Sequence, residues 1–400
     1  MDFLRISENK RYFVRGGAPF FWMGDTIWPA VSRYSLDEIK IYFAKRREQG
    51  FTVSHVMLPW TAFDGTAEGR NAAPEGVILP WLNNNPASPN EEYFIKLDNV
   101  IKIAAENEIL LTILPNGGGS GTQVDHEKII TVENVRAYGN FLGRRYKNEP
   151  NIVWVNGFDL LPWMYEDITR EFAAGVSEAD KNHLMFFHPC GGASSSHFHG
   201  EDWLCANFIQ TWSDYNSIRA MVTADYHRKP VKPVVHVEGA YEAGTEYPSA
   251  PITSWHARLQ AYWSYFSGGF HTYGHNDMWR KTPHWKNALD SKGARQMKIL
   301  KDFFTSIEWW DLIPDDRMIS PIYKSGHAAM RSANGKTAAF YFSHRSAVNA
   351  DLNILGEDKF IGEWTDPASG EKFCGGEFAG RRRIDSPAVF DDALLLLRAL

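Results

Sequence analysis

Eight short apolar runs alternate with longer amphipathic stretches over the first three quarters of the chain. The runs cover residues 20–24, 52–58, 109–114, 152–155, 184–187, 206–210, 234–237 and 269–273. This alternation is typical of parallel strands connected by helices. Eight units over about 250 residues predict a (β/α)8 TIM barrel. An open doubly wound sheet gives no reason for eight units, and no Gly-x-Gly-x-x-Gly follows any of the runs.

Local signals mark individual elements of this barrel. Ser35 and Glu38 have the spacing of a capping box at the start of a helix, and Gly50 is placed to end that helix. Residues 3–14 resemble a hairpin that turns around Glu8-Asn9-Lys10 and that we expect to close the barrel floor or to join the following domain.

The pattern changes after the first 314 residues. Short alternating segments follow at residues 319–323, 327–331, 337–342, 360–364 and 394–397, and Asn334-Gly335 between two of them predicts a tight hairpin. The chain is therefore predicted to be α/β, with a barrel domain over residues 1–314, including the N-terminal hairpin, and a small antiparallel β-sandwich over residues 315–400.

Charge and composition exclude several classes of partner. The chain has 42 Lys+Arg against 48 Asp+Glu, a net charge of −6, and its longest basic cluster is Arg381-Arg382-Arg383. We therefore expect no nucleic acid and no membrane partner, since no apolar window approaches the ~18 residues of a spanning helix. Cys190, Cys205 and Cys374 are widely spaced, and the start lacks a signal sequence, which predicts a cytoplasmic location. A homo-oligomer is possible but not predicted.

Polar, acidic and aromatic side chains lie at or just beyond the ends of the apolar runs. In a barrel of this kind the reactive groups lie past the C-terminal ends of the strands. The candidates for contact with a substrate are Asp25, Trp28, Trp60, Asn116, Phe158, His188, Gln210, Trp212, Tyr241, Tyr273, His275, Asn276 and Trp279.

Two carboxylates stand out among the strand ends. Asp159 follows the fourth run and Glu238 follows the seventh, and these strands face each other across a barrel mouth. Hydrolysis of a glycosidic bond uses two carboxyl groups, one to protonate the leaving oxygen and one to attack the anomeric carbon or to activate water. The structural alternative is that either carboxylate caps a helix or pairs with a buried arginine.

A histidine-containing loop offers a different chemistry. His197, His199 and Asp202 lie within six residues and could serve a metal-dependent hydrolase. A His-x-His pair projects both rings together only on a strand, so hydrogen bonds that order the loop are the favoured interpretation. A non-catalytic carbohydrate- or protein-binding module is the second alternative.

Tryptophan is concentrated in the predicted barrel. Of 15 Trp, all but Trp364 lie at or before Trp310. Trp28, Trp60, Trp212 and Trp279 follow predicted strands, where flat apolar faces can lie against sugar rings. Trp22, Trp154 and Trp263 are expected to pack in the core.

Several motifs together resemble the apiosidase-like glycoside hydrolases, glycoside hydrolase family 140 and its relatives. They are FFWMGDTIW at residues 20–28, WVNGFD at 154–159, HP at 188–189 with SSS at 194–196 and DW at 202–203, EGAYE at 238–242 and YGHN at 273–276. WTDP at 364–367 resembles the collagen-binding-type β domain that follows such barrels. The chain departs from the common family pattern at Phe158, Gly239 and the segment around Trp212.

The resemblance implies a retaining, exo-acting glycosidase that removes a terminal sugar from plant-type oligosaccharides or glycosides without a cofactor. Asp159 would be the acid/base and Glu238 the nucleophile, with Tyr241 bonded to the nucleophile. The sugar hydroxyls would be held by Asp25, His188, Gln210, Tyr273, His275 and Asn276. A retaining enzyme places its two carboxyl groups about 5 to 5.5 Å apart, and an inverting enzyme about 6.5 to 9.5 Å.

Overall fold

The computed structural model describes residues 1–58, 78–117, 129–322 and 326–400. Trp60 lies outside these residues, so its predicted contact with substrate stays a prediction. The chain begins with a three-stranded antiparallel sheet formed by β1 (Arg5–Ile6), β2 (Phe13–Arg15) and β3 (Ala18–Phe20). The first two strands are the predicted hairpin. Phe13 packs its ring against Trp22 and Phe270 with centroids 5.0 and 5.7 Å apart, so this sheet closes the floor of the barrel.

Eight parallel strands form the barrel, and each overlaps one of the predicted apolar runs. They are β4 (Met23–Thr26), β5 (Val53–Met57), β6 (Leu110–Leu114), β7 (Ile152–Leu160), β8 (Met185–Pro189), β10 (Asn207–Gln210), β11 (Val234–Glu238) and β12 (Phe270–Tyr273), with the short β9 (Ala193–Ser194) antiparallel to β10. The ring closes between β8 and the segment before β10, where Cys205 N–H donates to Met185 O at 2.9 Å. The TIM-barrel prediction is confirmed.

Helices cover the outside of the ring. In the described residues they are α1 (Ala30–Arg33), α2 (Leu36–Glu48), α3 (Glu91–Glu106), α4 (Val132–Tyr146), α5 (Glu166–Ala179), α6 (Ile218–His227), α7 (Ser254–Phe266), α8 (Asn276–Arg280), α9 (Trp285–Ala288) and α10 (Lys292–Thr305). The predicted capping box of Ser35 and Glu38 is present at the start of α2. None of the helices described is both long and apolar enough to cross a membrane.

The rest of the chain is antiparallel. Its strands are β13 (Leu312–Pro314), β14 (Ile319–Pro321), β15 (Ala328–Ser332), β16 (Thr337–Phe342), β17 (Ala347–Asp351), β18 (Phe360–Thr365), β19 (Lys372–Phe378), β20 (Arg381–Asp385) and β21 (Ala393–Ala399). A six-stranded sheet, β13-β15-β16-β21-β18-β19, and a three-stranded sheet, β14-β17-β20, share one apolar core that includes Phe340 and Val348. This is the predicted sandwich, and the hairpin at Asn334-Gly335 joins β15 to β16.

The barrel packs against the sandwich through α7. Arg258 on α7 binds Asp392 through two guanidinium nitrogens at 2.9 and 2.7 Å, and both residues are buried. One turn further, Tyr262 stacks on Tyr341 with centroids 4.7 Å apart. β13 belongs to the six-stranded sheet, which places residues 312–314 with the sandwich by pairing. The domain boundary after residue 314 stays a prediction.

Candidate active site

The end of β7 is shaped to present Asp159 at the barrel mouth. Gly157 has φ +71°, and a Cβ there would lie 2.7 Å from the Phe187 ring, so only glycine fits. Asn116 accepts a hydrogen bond from Gly157 N–H at 3.0 Å and donates to Asn156 Oδ1 at 2.6 Å. Asp159 itself lies in the left-handed region at φ 52°. Backbone held in this region by its surroundings is common where side chains must be aimed at a ligand.

The environment of Asp159 favours its protonated form. The side chain is half-buried, and desolvation, followed by the nearby negative charge of Glu238, raises the pKa of Asp159 to about 7. A hydrogen bond from Gln210 and the proximity of His188 act in the opposite direction. Asp159 can therefore hold a proton at neutral pH, as a general acid must.

Glu238, the last residue of β11, is buried at the opposite side of the mouth. Its Oε1 accepts a hydrogen bond from the Tyr241 hydroxyl at 2.7 Å, and that hydroxyl oxygen accepts one from Trp28 Nε1–H at 2.7 Å. The contact between Tyr241 and Glu238 expected from the sequence is present. The backbone after Glu238 is held by Gln260 on α7, which bonds both N–H and C=O of Ala240 at 2.8 and 3.0 Å.

His188 completes a cluster with the two carboxylates. One ligand atom each from Asp159, His188 and Glu238 lies within 4.8 Å of the other two. His188 Nε2 is 3.1 Å from Glu238 Oε2, and the imidazole is fully buried. We call Asp159, His188 and Glu238 the carboxylate cluster. It contains both residues predicted to be catalytic, and its elements are the fourth, fifth and seventh strands of the barrel.

Asp25 and Tyr273 do not face a substrate, which corrects the prediction that they hold sugar hydroxyls. Asp25 is fully buried with its Oδ2 2.5 Å from Arg46 Nε, and it also accepts a bond from Tyr42. The Tyr273 hydroxyl donates to Glu242 Oε2 at 2.5 Å. Both side chains point into the layer between strands and helices. There Asp25 is the partner of the buried Arg46, and Tyr273 bonds Glu242 at a helix terminus.

Trp28, Phe158 and Asn116 are also buried, and their direct contact with sugar stays a prediction. Trp28 and Phe158 have 1% and 2% of their surfaces exposed and pack edge to face with centroids 4.8 Å apart. They form an apolar wall beside His188. The Asn116 amide donates to the Asn156 side chain and accepts a bond from Gly157 N–H, just before Asp159. These three side chains support the cluster from behind.

Two polar residues and one tryptophan after β12 contact neighbouring residues of the protein. His275 caps α8 by accepting a bond from Asp277 N–H at 3.1 Å. Asn276 Oδ1 accepts from Trp279 Nε1–H at 2.9 Å, and Trp279 packs against the small apolar cluster that contains Tyr241. His275 is buried, whereas Asn276 and Trp279 are partly exposed. Contact of these three residues with substrate stays a prediction.

Trp212 is a strand-end tryptophan whose ring is accessible to solvent. Its side chain is 41% exposed and its ring lies 5.3 Å from that of Tyr247. It follows Gln210, the residue bonded to Asp159, by two positions. Its contact with substrate stays a prediction.

The sequence interpretation did not single out Trp163 or Gln260, and it gave no structural role to Glu242. Trp163 follows Asp159 by four residues and is 58% exposed. It was not selected because it lies well beyond the end of the predicted apolar run. Gln260 lies in the middle of a helix, where nothing in the sequence marks its bond to Ala240. Glu242 was seen as part of EGAYE, but its hydrogen bonds from Tyr273, Ser291 and Gly293 depend on tertiary packing.

The histidine loop does not assemble a metal site. His197 Nε2 lies 2.6 Å from Glu166 Oε1, whereas His199 bonds Asn207 through Nδ1 and Pro230 O through Nε2. Asp202 is exposed. The two rings are thus committed to different partners, which removes the basis for the metal-dependent hydrolase built on this loop.

Solved structures of similar fold carry glycosidase names. A glycoside hydrolase family 5 protein from Bacteroides vulgatus has 25% identity and a TM-score of 0.84, with 99% of this chain and 93% of that one covered. A second structure, described as a glycoside hydrolase, has 25% identity and a TM-score of 0.83 over 100% of this chain and 97% of its own. No curated protein matches the chain by sequence.

A barrel of this topology with a pair of carboxylates at its mouth is shared with the glycosidases, and the chain is a glycosidase. The family described as "Apiosidase-like, catalytic domain" matches residues 7–311. The chain belongs to this apiosidase-like family, as its motifs indicated. A non-catalytic binding module is therefore not what the barrel represents.

Proposed function

We propose that the protein is a retaining, exo-acting glycosidase that removes a terminal sugar from plant-type oligosaccharides or glycosides. One observation carries the proposal: a carboxylate oxygen of Asp159 and one of Glu238 lie within 4.8 Å of each other. Retaining enzymes place the two carboxyl groups about 5 to 5.5 Å apart, whereas inverting enzymes leave about 6.5 to 9.5 Å for a water molecule. The short separation supports direct attack by one carboxylate.

The different surroundings of the two carboxylates support different roles for them. Glu238 attacks the anomeric carbon, and Asp159 transfers its proton to the glycosidic oxygen as the bond to the leaving group breaks. The product of this step is a glycosyl ester of Glu238 and a free alcohol. Asp159, now ionised, takes a proton from water, and the resulting hydroxide oxygen attacks the anomeric carbon and releases Glu238. The raised pKa of Asp159, about 7, supports its assignment as the acid.

The family and the exposed rim support the proposed substrate class. Trp212 offers an aromatic face beside Gln210, the residue bonded to Asp159. A terminal sugar on an oligosaccharide fits such a small platform better than the middle of a long chain would. The absence of a cofactor and the cytoplasmic location stay predictions. The three cysteines are not paired in disulfides.

Product stereochemistry tests the proposal directly. A panel of aryl glycosides and plant-wall oligosaccharides is screened for hydrolysis, and the first anomer released from a substrate is identified by proton NMR before mutarotation. We expect the configuration of the substrate, and a 2-fluoro glycoside of the same sugar should label Glu238. Release of the opposite anomer would contradict retention.

A metal-dependent reaction at the same cluster is the competing outcome. Asp159, His188 and Glu238 are ligand types that a divalent cation accepts. Turnover is therefore measured after dialysis against a chelator and after addition of zinc or magnesium. We expect no change; loss on chelation and recovery with one metal would replace the carboxylate mechanism.

A further inference from the structure

The chain after Glu238 forms a short closed turn. Tyr241 lies three residues after Glu238, and its hydroxyl donates to Glu238 Oε1 at 2.7 Å. This side-chain hydrogen bond and the backbone of residues 238–241 together make a ring. The direction of the Glu238 carboxylate therefore depends on the course of the two residues in the middle, Gly239 and Ala240.

A single side chain holds the middle of this turn. Gln260 Oε1 accepts a hydrogen bond from Ala240 N–H at 2.8 Å, and Gln260 Nε2 donates to Ala240 O at 3.0 Å. Nε2 also donates to His256 O at 3.1 Å, so both of its hydrogens are used. Carbonyl oxygens can only accept hydrogen bonds, which determines the end of the amide that faces each partner. Gln260 is thus bonded to both backbone groups of a residue two positions after Glu238.

Glycine at position 239 makes this contact possible. A Cβ at Gly239 would lie 2.2 Å from Gln260 Oε1 and 2.8 Å from His236 Cε1, and carbon contacts this short do not occur in folded proteins. A larger residue would therefore push the Gln260 amide away from Ala240. Gly239 and Gln260 form one structural unit beside Glu238.

The helix that carries Gln260 is held on its opposite side. α7 is buried from Ala257 to Phe266. Arg258 precedes Gln260 by two residues, which places it on the other face of the helix, and it binds Asp392 of the sandwich at 2.7 Å. A side chain positions other groups accurately only when it stands on a rigid element. α7 gives the Gln260 amide such a support.

We propose that Gln260 is a positioning residue for Glu238, an inference that rests on the proposed function. Its amide fixes the backbone at Ala240, and the backbone in turn fixes the Tyr241 hydroxyl against Glu238 Oε1. Without the amide, both backbone groups of Ala240 lose their partner, and the turn relaxes. The Glu238 carboxylate then leaves its line of attack on the anomeric carbon. A displacement of about 1 Å in a reacting group can reduce the rate about 100-fold.

Kinetics of two matched glutamine variants test the positioning role. Gln260→Met keeps the length of the side chain and removes its hydrogen bonds, so kcat should fall about 10- to 100-fold with KM little changed. Gln49→Met is the control, because Gln49 is also buried and its amide bonds Arg46 and Leu289 O at the floor end of the barrel. Its kcat should stay close to that of the wild type. Equal losses in the two variants would mean a general packing effect and would overturn the proposal.

Gln260→Glu is the second variant. A protonated carboxyl group can accept from Ala240 N–H and donate to Ala240 O, whereas a carboxylate can only accept. At low pH the kcat of Gln260→Glu, relative to the wild type, should therefore exceed that of Gln260→Met. It should fall as the pH rises and the new carboxyl group ionises. A relative kcat no higher than that of Gln260→Met at any pH would contradict the positioning role.

The indole N–H of Trp28 reports on the turn without any substrate. It donates to the Tyr241 hydroxyl oxygen at 2.7 Å, so its NMR signal depends on where that hydroxyl lies. The protein is labelled with ¹⁵N-tryptophan, and the signal is assigned from its absence in Trp28→Phe. In Gln260→Met we expect the signal to shift and its hydrogen to exchange faster with solvent, whereas Gln49→Met should match the wild type. An unchanged Trp28 signal in Gln260→Met would overturn the proposal.

The two measurements separate this inference from the proposed function. If no glycoside is hydrolysed but Gln260→Met shifts the Trp28 signal, the proposed function fails and the hold of the amide on the turn stands. If the enzyme retains configuration but Gln260→Met changes neither kcat nor the Trp28 signal, the positioning role fails and the mechanism stands.

Discussion

The upper barrel contains two groups of buried acidic residues. They differ in the partners that stabilise the negative charge of the carboxylates. The carboxylate cluster brings two acids together with one imidazole, and Asp159 is driven towards its neutral form. The second group, which we call the paired layer, consists of Asp25, Arg46, Glu242 and Tyr273. There Asp25 faces Arg46, and Glu242 accepts three hydrogen bonds.

The difference separates reactive acids from structural ones. A carboxylate already bonded by a guanidinium or by several donors is a weak base and a poor nucleophile, because its charge is stabilised before any substrate arrives. The carboxylate cluster keeps one oxygen of Glu238 and the acid of Asp159 for the substrate. Glu238 and Glu242, two glutamates four positions apart in sequence, are therefore expected to have different functions.

The largest expected effect is on the two glutamates. Glu238→Gln removes the proposed nucleophile and should reduce kcat by on the order of 10⁴-fold or more, with the folded structure preserved. Glu242→Gln should leave kcat within about tenfold of the wild type while lowering the free energy of unfolding by about 1 to 3 kcal/mol, since a buried acceptor is lost. Steady-state kinetics and urea unfolding measure both. The opposite pattern would make Glu242 the nucleophile.

Asp25 should matter for stability and little for chemistry. Asp25→Asn leaves the fully buried Arg46 without its carboxylate, and breaking a buried ion pair in this way costs about 3 to 5 kcal/mol. Asp37→Asn is the control, because the pair of Asp37 with Lys40 is exposed and is worth at most about 1 kcal/mol. Chemical unfolding of the three proteins checks this. A large loss of activity with unchanged stability would restore Asp25 as a substrate contact.

Asp159 should destabilise the fold at neutral and alkaline pH. Its pKa is about 7 in the folded protein and about 3.9 in an unfolded chain. Between these values the folded state binds more protons, so stability falls as the pH rises from 4 to 7. Asp159→Asn removes this penalty and should be more stable than the wild type at pH 8, by roughly 1 to 4 kcal/mol. The two proteins should unfold alike near pH 4, and a difference that persists there would have another origin.

The sequence predicted the barrel because the fold follows from periodicity, and it brought Asp159 and Glu238 forward as the proposed catalytic pair through strand order and the family resemblance. It could not say to which side of a strand a given side chain points. Asp25 and Tyr273 are paired across β4 and β12 and share the face turned to the helices. The sequence did contain one signal for this arrangement. Arg46 has helical spacing with the apolar residues Ile39, Tyr42 and Phe43, and all four lie on the buried face of α2. An arginine on this face packs against the sheet and needs a buried acid as its partner.

Three sandwich strands that the sequence missed contain polar residues or glycines. β17, β19 and β20 include Asn349, Gly375-Gly376 and Arg381-Arg382-Arg383, and β19 and β20 lie at sheet edges. Edge strands are commonly charged because this prevents association between sheets. Their pairing is determined by contacts distant in sequence, which alternation of apolar residues does not reveal.

Trp212 tests how far the carboxylate cluster extends towards solvent. If its exposed ring lies against the sugar, Trp212→Ala removes about 40 to 80 Å² of apolar contact, worth about 1 to 2 kcal/mol. KM should then rise about 5- to 30-fold, with kcat changed less because both carboxylates stay in place. Trp310→Ala is the matched control, since Trp310 is 37% exposed but adjoins Trp309 near the barrel floor. An effect on kcat alone would mean that Trp212 acts by shaping the backbone around Gln210, for which its φ of 49° provides a physical reason.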